Sequence, residues 1–98
     1  MNAQDIKKLM LLDVFKVESK NKSWLLTHEI EPKKELISID SDGKSLKEFW
    51  VVTKREEDSY RVVFDEEKNM FGLECELGNG IKWYMGPYGT FSEAVNMV

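Results

Sequence analysis

The sequence predicts an α+β fold: an antiparallel meander sheet of four to six strands with an N-terminal helix and a short C-terminal helix. Apolar residues recur at helical spacing in residues 4–16, and four later segments are rich in β-branched and aromatic residues. A helix-capping pattern also precedes Phe91. Because 98 residues is close to the usual size of one domain, we expect residues 1–98 to form a single α+β domain.

The N-terminal helix is predicted over residues 4–16. Its apolar positions recur at three- and four-residue steps, which places them on one helical face: Ile6, Leu9, Met10 and Val14, with Leu11 or Leu12 as a further candidate. Asn2 or Asp5 can accept hydrogen bonds from the free amides of the first turn. We expect this helix to pack on the sheet by one apolar stripe.

Residues 23–31 are the hardest segment to assign from the sequence. Apolar and polar residues alternate there until Pro32 removes a backbone donor, which favours a strand. A short second helix fits the same residues, because the segment is too short for periodicity to decide. A further short strand is predicted over residues 36–40, followed by a turn at residues 40–43.

The second half of the chain predicts a four-stranded antiparallel meander. The strands are expected at residues 46–53, 59–65, 70–77 and 81–85, with polar turns between them. A three-residue loop at 78–80 would place Cys75 opposite Trp83, Glu76 opposite Lys82, and Leu73 opposite Met85 on the last hairpin.

A four-residue loop at 55–58 sets the register of the first hairpin of this meander. It would align Val51 with Val62 and Phe49 with Phe64 on a common core face. The reverse face of the hairpin would then carry the following residues: Trp50, Val52, Arg61 and Val63.

The C-terminal helix is predicted to begin near Phe91. Thr90 and Glu93 have the spacing in which a threonine hydroxyl caps a helix and a glutamate reaches back to the cap. The helix is expected to run to the end of the chain at Val98.

Composition narrows the possible functions. There are 14 Lys and Arg residues against 18 Asp and Glu, giving a net charge of -4. This charge has the wrong sign for a surface that follows phosphates, so we expect no nucleic-acid partner. The apolar runs in the sequence are too short to span a membrane, and no signal peptide is expected. The chain has a single cysteine, so no internal disulfide can form. We therefore expect a cytoplasmic protein without a membrane partner.

No pattern in the sequence predicts an enzyme. His28 and Cys75 are the only histidine and cysteine, and Cys75 alternates with the apolar residues of its strand. The Asp40-Ser-Asp-Gly43 segment suggests a calcium loop, but Phe49 occupies the position of the required bidentate glutamate. We expect no catalytic residues, no metal site and no cofactor.

Two sets of residues are candidates for binding a protein partner. The first is a pair of acidic turns that would attract a basic partner: Glu56, Glu57, Asp58, Asp65, Glu66 and Glu67. The second is an aromatic and apolar patch that would be desolvated on binding if the helices leave it uncovered: Trp50, Val52, Val63 and Tyr84.

The C-terminal half carries a resemblance to a known group of proteins. Tyr60-Arg-Val-Val-Phe-Asp65, Phe71-Gly-Leu73 and Gly86-Pro-Tyr-Gly-Thr-Phe-Ser-Glu-Ala94 follow one another. This succession resembles small uncharacterised bacterial α+β proteins of the toxin-immunity type. The resemblance implies tight binding to a cognate toxin, with acidic side chains opposite a basic active site.

The sequence therefore predicts a non-enzymatic protein-binding module, with neutralisation of a bacterial toxin as its specific form. One alternative is a structural or self-associating module, in which a homo-oligomer forms. The other is a small-ligand-binding protein with a pocket lined by His28 and Tyr84.

Overall fold

The computed structural model describes residues 1–56 and 60–98. Helix α1 spans Ala3–Asp13, a 3-10 turn spans Val14–Lys16, and helix α2 spans Ser19–His28. The strands are β1 (Glu29–Ser38), β2 (Leu46–Thr53), β3 (Tyr60–Asp65), β4 (Met70–Glu76) and β5 (Lys82–Gly89), and helix α3 spans Phe91–Val95. The predicted α+β class, with an antiparallel meander between N-terminal and C-terminal helices, is confirmed.

The five strands close into a barrel. Sequential strands pair antiparallel, and β1 meets β5 in parallel at Ser38 and Trp83. The closing pair is parallel because an up-and-down meander with an odd number of strands has its first and last strands in the same direction. Both faces of the sheet are therefore covered in this barrel. The inner face lines the interior, and the outer face packs under the helices.

The two faces hold separate apolar clusters. The interior cluster consists of Ile37, Phe49, Val51 and Val63, with Tyr84 packed against it. The outer cluster joins strands β2, β3 and β4 to the helices, and its largest buried members are Ile6, Trp50, Phe64, Phe71, Leu73 and Phe91. Burial of both faces is the main source of stability for a chain of this size.

Helix α1 begins as the sequence predicts and ends earlier. The Asn2 side chain accepts from the amide of Asp5 at 3.0 Å, and the Asp5 carboxylate accepts from the amide of Asn2 at 2.9 Å. Ile6 and Met10 are its buried residues. The predicted residues 14–16 form a 3-10 turn instead, which redirects the chain into α2.

The strand predicted at residues 23–31 is wrong for most of its length, and the alternative of a short second helix is correct. Trp24 and His28 stack with their ring centroids 4.4 Å apart, the contact expected of residues four apart on a helix. Leu25 is buried. Strand β1 begins only at Glu29, and the register of its pairing with β2 shifts between Glu29 and Lys33 around Pro32.

The predicted register of the β2–β3 hairpin is wrong by one residue. Val51 lies opposite Val63, and Trp50 lies opposite Phe64. The hydroxyl of Thr53 accepts from the amide of Val62 at 2.8 Å, at the end of the paired region. Since a shift of one residue exchanges the two faces of a strand, Val62 packs toward the helices and Val63 into the barrel.

The β4–β5 hairpin largely follows its predicted register. Cys75 lies opposite Trp83 and Glu76 opposite Lys82, as expected. Leu73 lies opposite Gly86 and not Met85, because the register shifts between Leu73 and Glu74. A bulge of this kind adds one residue to one strand.

Helix α3 begins at Phe91 as predicted. The Thr90 hydroxyl accepts from the amide of Glu93, and the Glu93 side chain returns to the amide of Thr90. The helix ends at Val95, before the predicted end at Val98. Phe91, Ala94 and Val95 are buried, so packing on the barrel holds this short helix.

Candidate binding surface

The predicted aromatic and apolar patch does not form an exposed surface. Trp50, Val52 and Val63 are buried, and Tyr84 is half-buried with its ring centroid 4.4 Å from that of Phe49. The helices cover Trp50 and Val52, while Val63 and Tyr84 belong to the interior cluster. The exposed-patch prediction is wrong because both faces of these strands are covered.

The residues of the predicted acidic turns differ in their exposure. Glu56, Glu66 and Glu67 are exposed. Asp65 is buried and pairs with the amine of Lys47 at 2.9 Å, so its place on an exposed acidic rim is a wrong prediction. Glu57 and Asp58 lie outside the described residues.

The exposed carboxylates of the second turn already have partners. Glu66 accepts from the indole of Trp50 at 3.1 Å and lies 3.5 Å from the N-terminal amine of Met1. Glu67 lies 3.4 Å from the amine of Lys47. These contacts partly neutralise the charge that would attract a basic partner.

A network of charged side chains fills one end of the barrel. Arg61 donates to both carboxylate oxygens of Glu35, at 3.0 and 3.1 Å, and to Glu74 at 2.9 Å. Arg55 pairs with Glu74, and Lys82 pairs with Glu35. The network joins strands β1, β3, β4 and β5. It therefore links the parallel β1–β5 pair, which closes the barrel, to strands β3 and β4.

The network keeps the Glu35 carboxylate ionised. Hydrogen bonds from Arg61, with a smaller contribution from Lys82, lower the pKa of Glu35 from 4.5 to about 2, against an opposing effect of burial. At neutral pH Glu35 therefore accepts hydrogen bonds and is a poor general base. This network was not predicted, because Arg61 was expected on a reverse face with Trp50 and Val52. Its signal in the sequence is the presence of charged residues within the strands.

The lowered pKa of Glu35 predicts how stability changes in acid. A carboxylate whose pKa falls on folding adds stability above its unfolded pKa, and this stability is lost as the pH falls through the folded value. We expect wild type to be more stable than Glu35→Gln by about 2 kcal/mol at neutral pH, with the difference shrinking between about pH 5 and pH 2. Urea unfolding of both proteins across this range measures it. A constant difference would contradict the prediction.

The two residues considered for nucleophilic chemistry have structural contacts. The His28 ring stacks on Trp24, and its Nδ1 lies 2.7 Å from the Trp24 carbonyl oxygen. Burial raises the pKa of the Cys75 thiol, and the charge of Glu74 raises it further. The thiol is therefore protonated at neutral pH, the less nucleophilic form.

Several strongly exposed apolar side chains lie on the two N-terminal helices and on the 3-10 turn between them. Leu11 is 70% exposed, Phe15 is 70% exposed and Leu26 is 79% exposed. With Val14 and Leu25 they form a surface that we call the helical face. Leu12 is also exposed, on an adjacent part of α1.

Two open depressions shape the helical face. The first, of about 280 Å³, lies between α1 and β1, and its apolar lining is Met10, Leu11, Val14 and Ile30. The second, also of about 280 Å³, lies between the 3-10 turn and α2, and its apolar lining is Val14, Phe15, Val17, Leu25 and Leu26. Val14 lines both, so the two depressions adjoin at this residue.

Helix α3 holds the helical face in position through polar contacts. The Asp13 carboxylate accepts from the amide of Ser92 at 3.1 Å and from its hydroxyl at 2.7 Å. The Asn96 side-chain oxygen accepts from the amide of Glu18 at 2.9 Å and from Asn21 Nδ2 at 3.1 Å. These bonds fix the end of α1 and the start of α2 relative to the barrel.

No family model, curated protein or solved structure matches this chain. Within residues 1–56 and 60–98, no group of three or more His, Cys, Asp or Glu side chains is placed to hold a metal ion. No helix in the same ranges is long and apolar enough to cross a membrane.

Proposed function

We propose that this protein is a non-enzymatic protein-binding module and that the helical face is its contact surface. The observation that carries the proposal is the exposure of Leu11, Phe15 and Leu26, each at 70% or more, around two adjoining depressions. Complete burial of such a side chain contributes about 1.5–3 kcal/mol. Contiguous apolar surface of this kind is typical of interaction sites.

The shape of the helical face favours a protein partner over a small ligand. Small-molecule sites enclose most of their ligand's surface, whereas both depressions on this face are open. The helical face combines shallow depressions with projecting side chains, as interfaces between proteins do. Neither depression is lined by His28 or Tyr84, the pair expected in a ligand pocket.

Neutralisation of a basic toxin is a narrower form of the same proposal. Its support is the resemblance of the C-terminal half to immunity-type proteins and the exposure of Glu56, Glu66 and Glu67. In this form, the exposed carboxylates would accelerate the encounter, and the helical face would supply most of the affinity. Salt would then slow association with the toxin.

Affinity capture with matched variants tests the contact surface. Tagged wild type, Phe15→Asp and Leu36→Asp are used as baits in lysate and medium of the native source, at two salt concentrations. Leu36 is a control because it is 58% exposed on β1, outside the helical face. We expect wild type and Leu36→Asp to retain the same stoichiometric partner, which is either another protein or an untagged copy of this chain, and Phe15→Asp to lose it.

The stability of each bait protein is measured first. This measurement excludes the possibility that a variant loses the partner because the variant itself is unfolded. Exposed side chains contribute little to the folded core, so we expect Phe15→Asp to unfold close to wild type. Leu36→Asp should be slightly less stable but still folded, because it places a carboxylate opposite Glu48. Retention of the same partner by Phe15→Asp would contradict the proposed surface. Recovery of bait alone from every wild-type capture would contradict the proposed function.

A further inference from the structure

We propose that the helical face binds a second copy of this chain in a two-fold symmetric dimer. This inference rests on the proposed function and identifies the partner of the same surface. Its basis is that the face carries opposite charges at its two ends and an apolar centre, so a two-fold rotation makes it complementary to itself.

The positive end of the face lies at the second depression. Lys22 lines this depression beside Phe15 and Leu26. The amine of Lys16 lies 5.8 Å from the centroid of the Phe15 ring. Among the described residues, no carboxylate lies within ion-pair distance of either lysine. These amines are available to a carboxylate from outside the chain.

The negative end of the face lies at the first depression. Glu29 and Glu31 line it, and Lys7 pairs with Glu31. Glu29 is exposed and forms no ion pair with a described residue. The first depression therefore presents one unneutralised carboxylate, in contrast to the unneutralised amines of the second.

The spacing of these charges suits a two-fold arrangement. Glu29 follows the last residue of α2 and Lys22 lies seven residues before it, which is about 10 Å along a helix axis. Val14 lines both depressions and so lies between the two ends. A two-fold axis that passes midway between Lys22 and Glu29 brings Lys22 of each copy toward Glu29 of the other.

The same rotation matches the apolar groups. It places the projecting Phe15 of one copy over the first depression of the other, which is lined by Met10 and Ile30. Leu26 lies about midway between Lys22 and Glu29, so it meets Leu26 of the other copy near the axis. Each contact of a two-fold dimer occurs twice, so three exposed side chains per copy become six buried ones. The apolar contacts supply affinity, and the charge pairs set the orientation.

The charge pairing permits a test by charge exchange. Sedimentation equilibrium is measured from about 1 µM to about 300 µM, a range in which weak dimers dissociate. We expect wild type and Leu36→Asp to dimerise and Phe15→Asp to remain monomeric. Lys22→Glu and Glu29→Lys should each weaken the dimer at least about tenfold, because each places like charges together at two positions.

Two combinations should restore the dimer. The double variant Lys22→Glu/Glu29→Lys exchanges both charges within one chain, so opposite charges meet again across the axis. An equimolar mixture of the two single variants should form a heterodimer, because one chain then carries two glutamates and the other two lysines. Both combinations should recover a dimer affinity within about threefold of wild type, because the effects of substitutions at two residues in contact are not additive.

The outcomes separate this inference from the proposed function. A monomeric wild type over the whole range overturns the dimer, and a different protein captured through Phe15 would then still support the proposed function. Dimerisation of Phe15→Asp as tight as wild type overturns the assigned surface. Failure of both charge-exchange combinations to restore a weakened dimer overturns the two-fold pairing of Lys22 with Glu29.

Discussion

Arg61→Met is expected to lower the free energy of unfolding by about 3–5 kcal/mol. The guanidinium is buried and donates to both Glu35 and Glu74 inside the barrel. Its removal leaves these carboxylates with fewer partners in a region shielded from water, where a poorly paired charge is costly. Urea unfolding followed by tryptophan fluorescence measures the loss.

Lys34→Met is the matched control for Arg61→Met. A basic side chain is again replaced by methionine, but Lys34 is exposed, and its amine pairs with Glu48 at 3.5 Å and lies 5.2 Å from the centroid of the Trp50 ring. Exposed pairs contribute about 0–1 kcal/mol, so this variant should unfold close to wild type. Equal losses in the two variants would show that the barrel network contributes no more than a surface ion pair.

Gly72→Ala is expected to destabilise the protein by about 3 kcal/mol, at the upper end of the usual cost of overpacking. A β-carbon at this position would lie 2.7 Å from the hydroxyl oxygen of Tyr84 and closer still to the carbonyl oxygen of Gly86. The backbone of β5 would have to move away from β4 to accept it. For a domain of this size, the melting temperature should fall by more than about 10 °C.

Gly78→Ala is the matched control for Gly72→Ala. No atom lies within 4 Å of a β-carbon built at Gly78, and its φ is not positive. This variant should therefore melt within a few degrees of wild type. A melting temperature for Gly72→Ala equal to that of Gly78→Ala would contradict the close approach of β4 and β5.

The fold elements with strong local signals could be predicted from the sequence. The capping residues Asn2 and Thr90 mark the starts of α1 and α3, and runs of β-branched and aromatic residues mark β2 to β4. Helix α2 could not be decided, because its ten residues carry few apolar positions. The i to i+4 spacing of Trp24 and His28 was a usable signal for it.

The barrel closure and the strand register could not be predicted, for one physical reason. Sequence patterns identify a buried face by contrast with a polar face, and β2 and β3 have apolar residues on both. One face lies inside the barrel and the other lies under the helices. The same double burial explains why Trp50 and Val63, candidates for a patch that the helices leave uncovered, are in the two cores.

The helical face had a signal in the sequence that was not used. Leu9, Met10, Leu11 and Leu12 are consecutive apolar residues on one helix, and a helix packed by one stripe cannot bury all four. Leu11 and Leu12 are the two that remain exposed. The position of Phe15 and Leu26 beside Leu11 depends on the 3-10 turn and on α2, which the local pattern does not specify.

Site-specific photo-crosslinking tests the helical face as a contact surface most directly. A photoreactive phenylalanine derivative replaces Leu26 in one protein and Leu36 in another. Each protein is irradiated in lysate of the native source and, separately, as the purified protein at high concentration. We predict a discrete protein adduct from position 26, abolished by Phe15→Asp, and none from position 36. Absence of any adduct from position 26, or equal adducts from both positions, would contradict the assignment of the helical face.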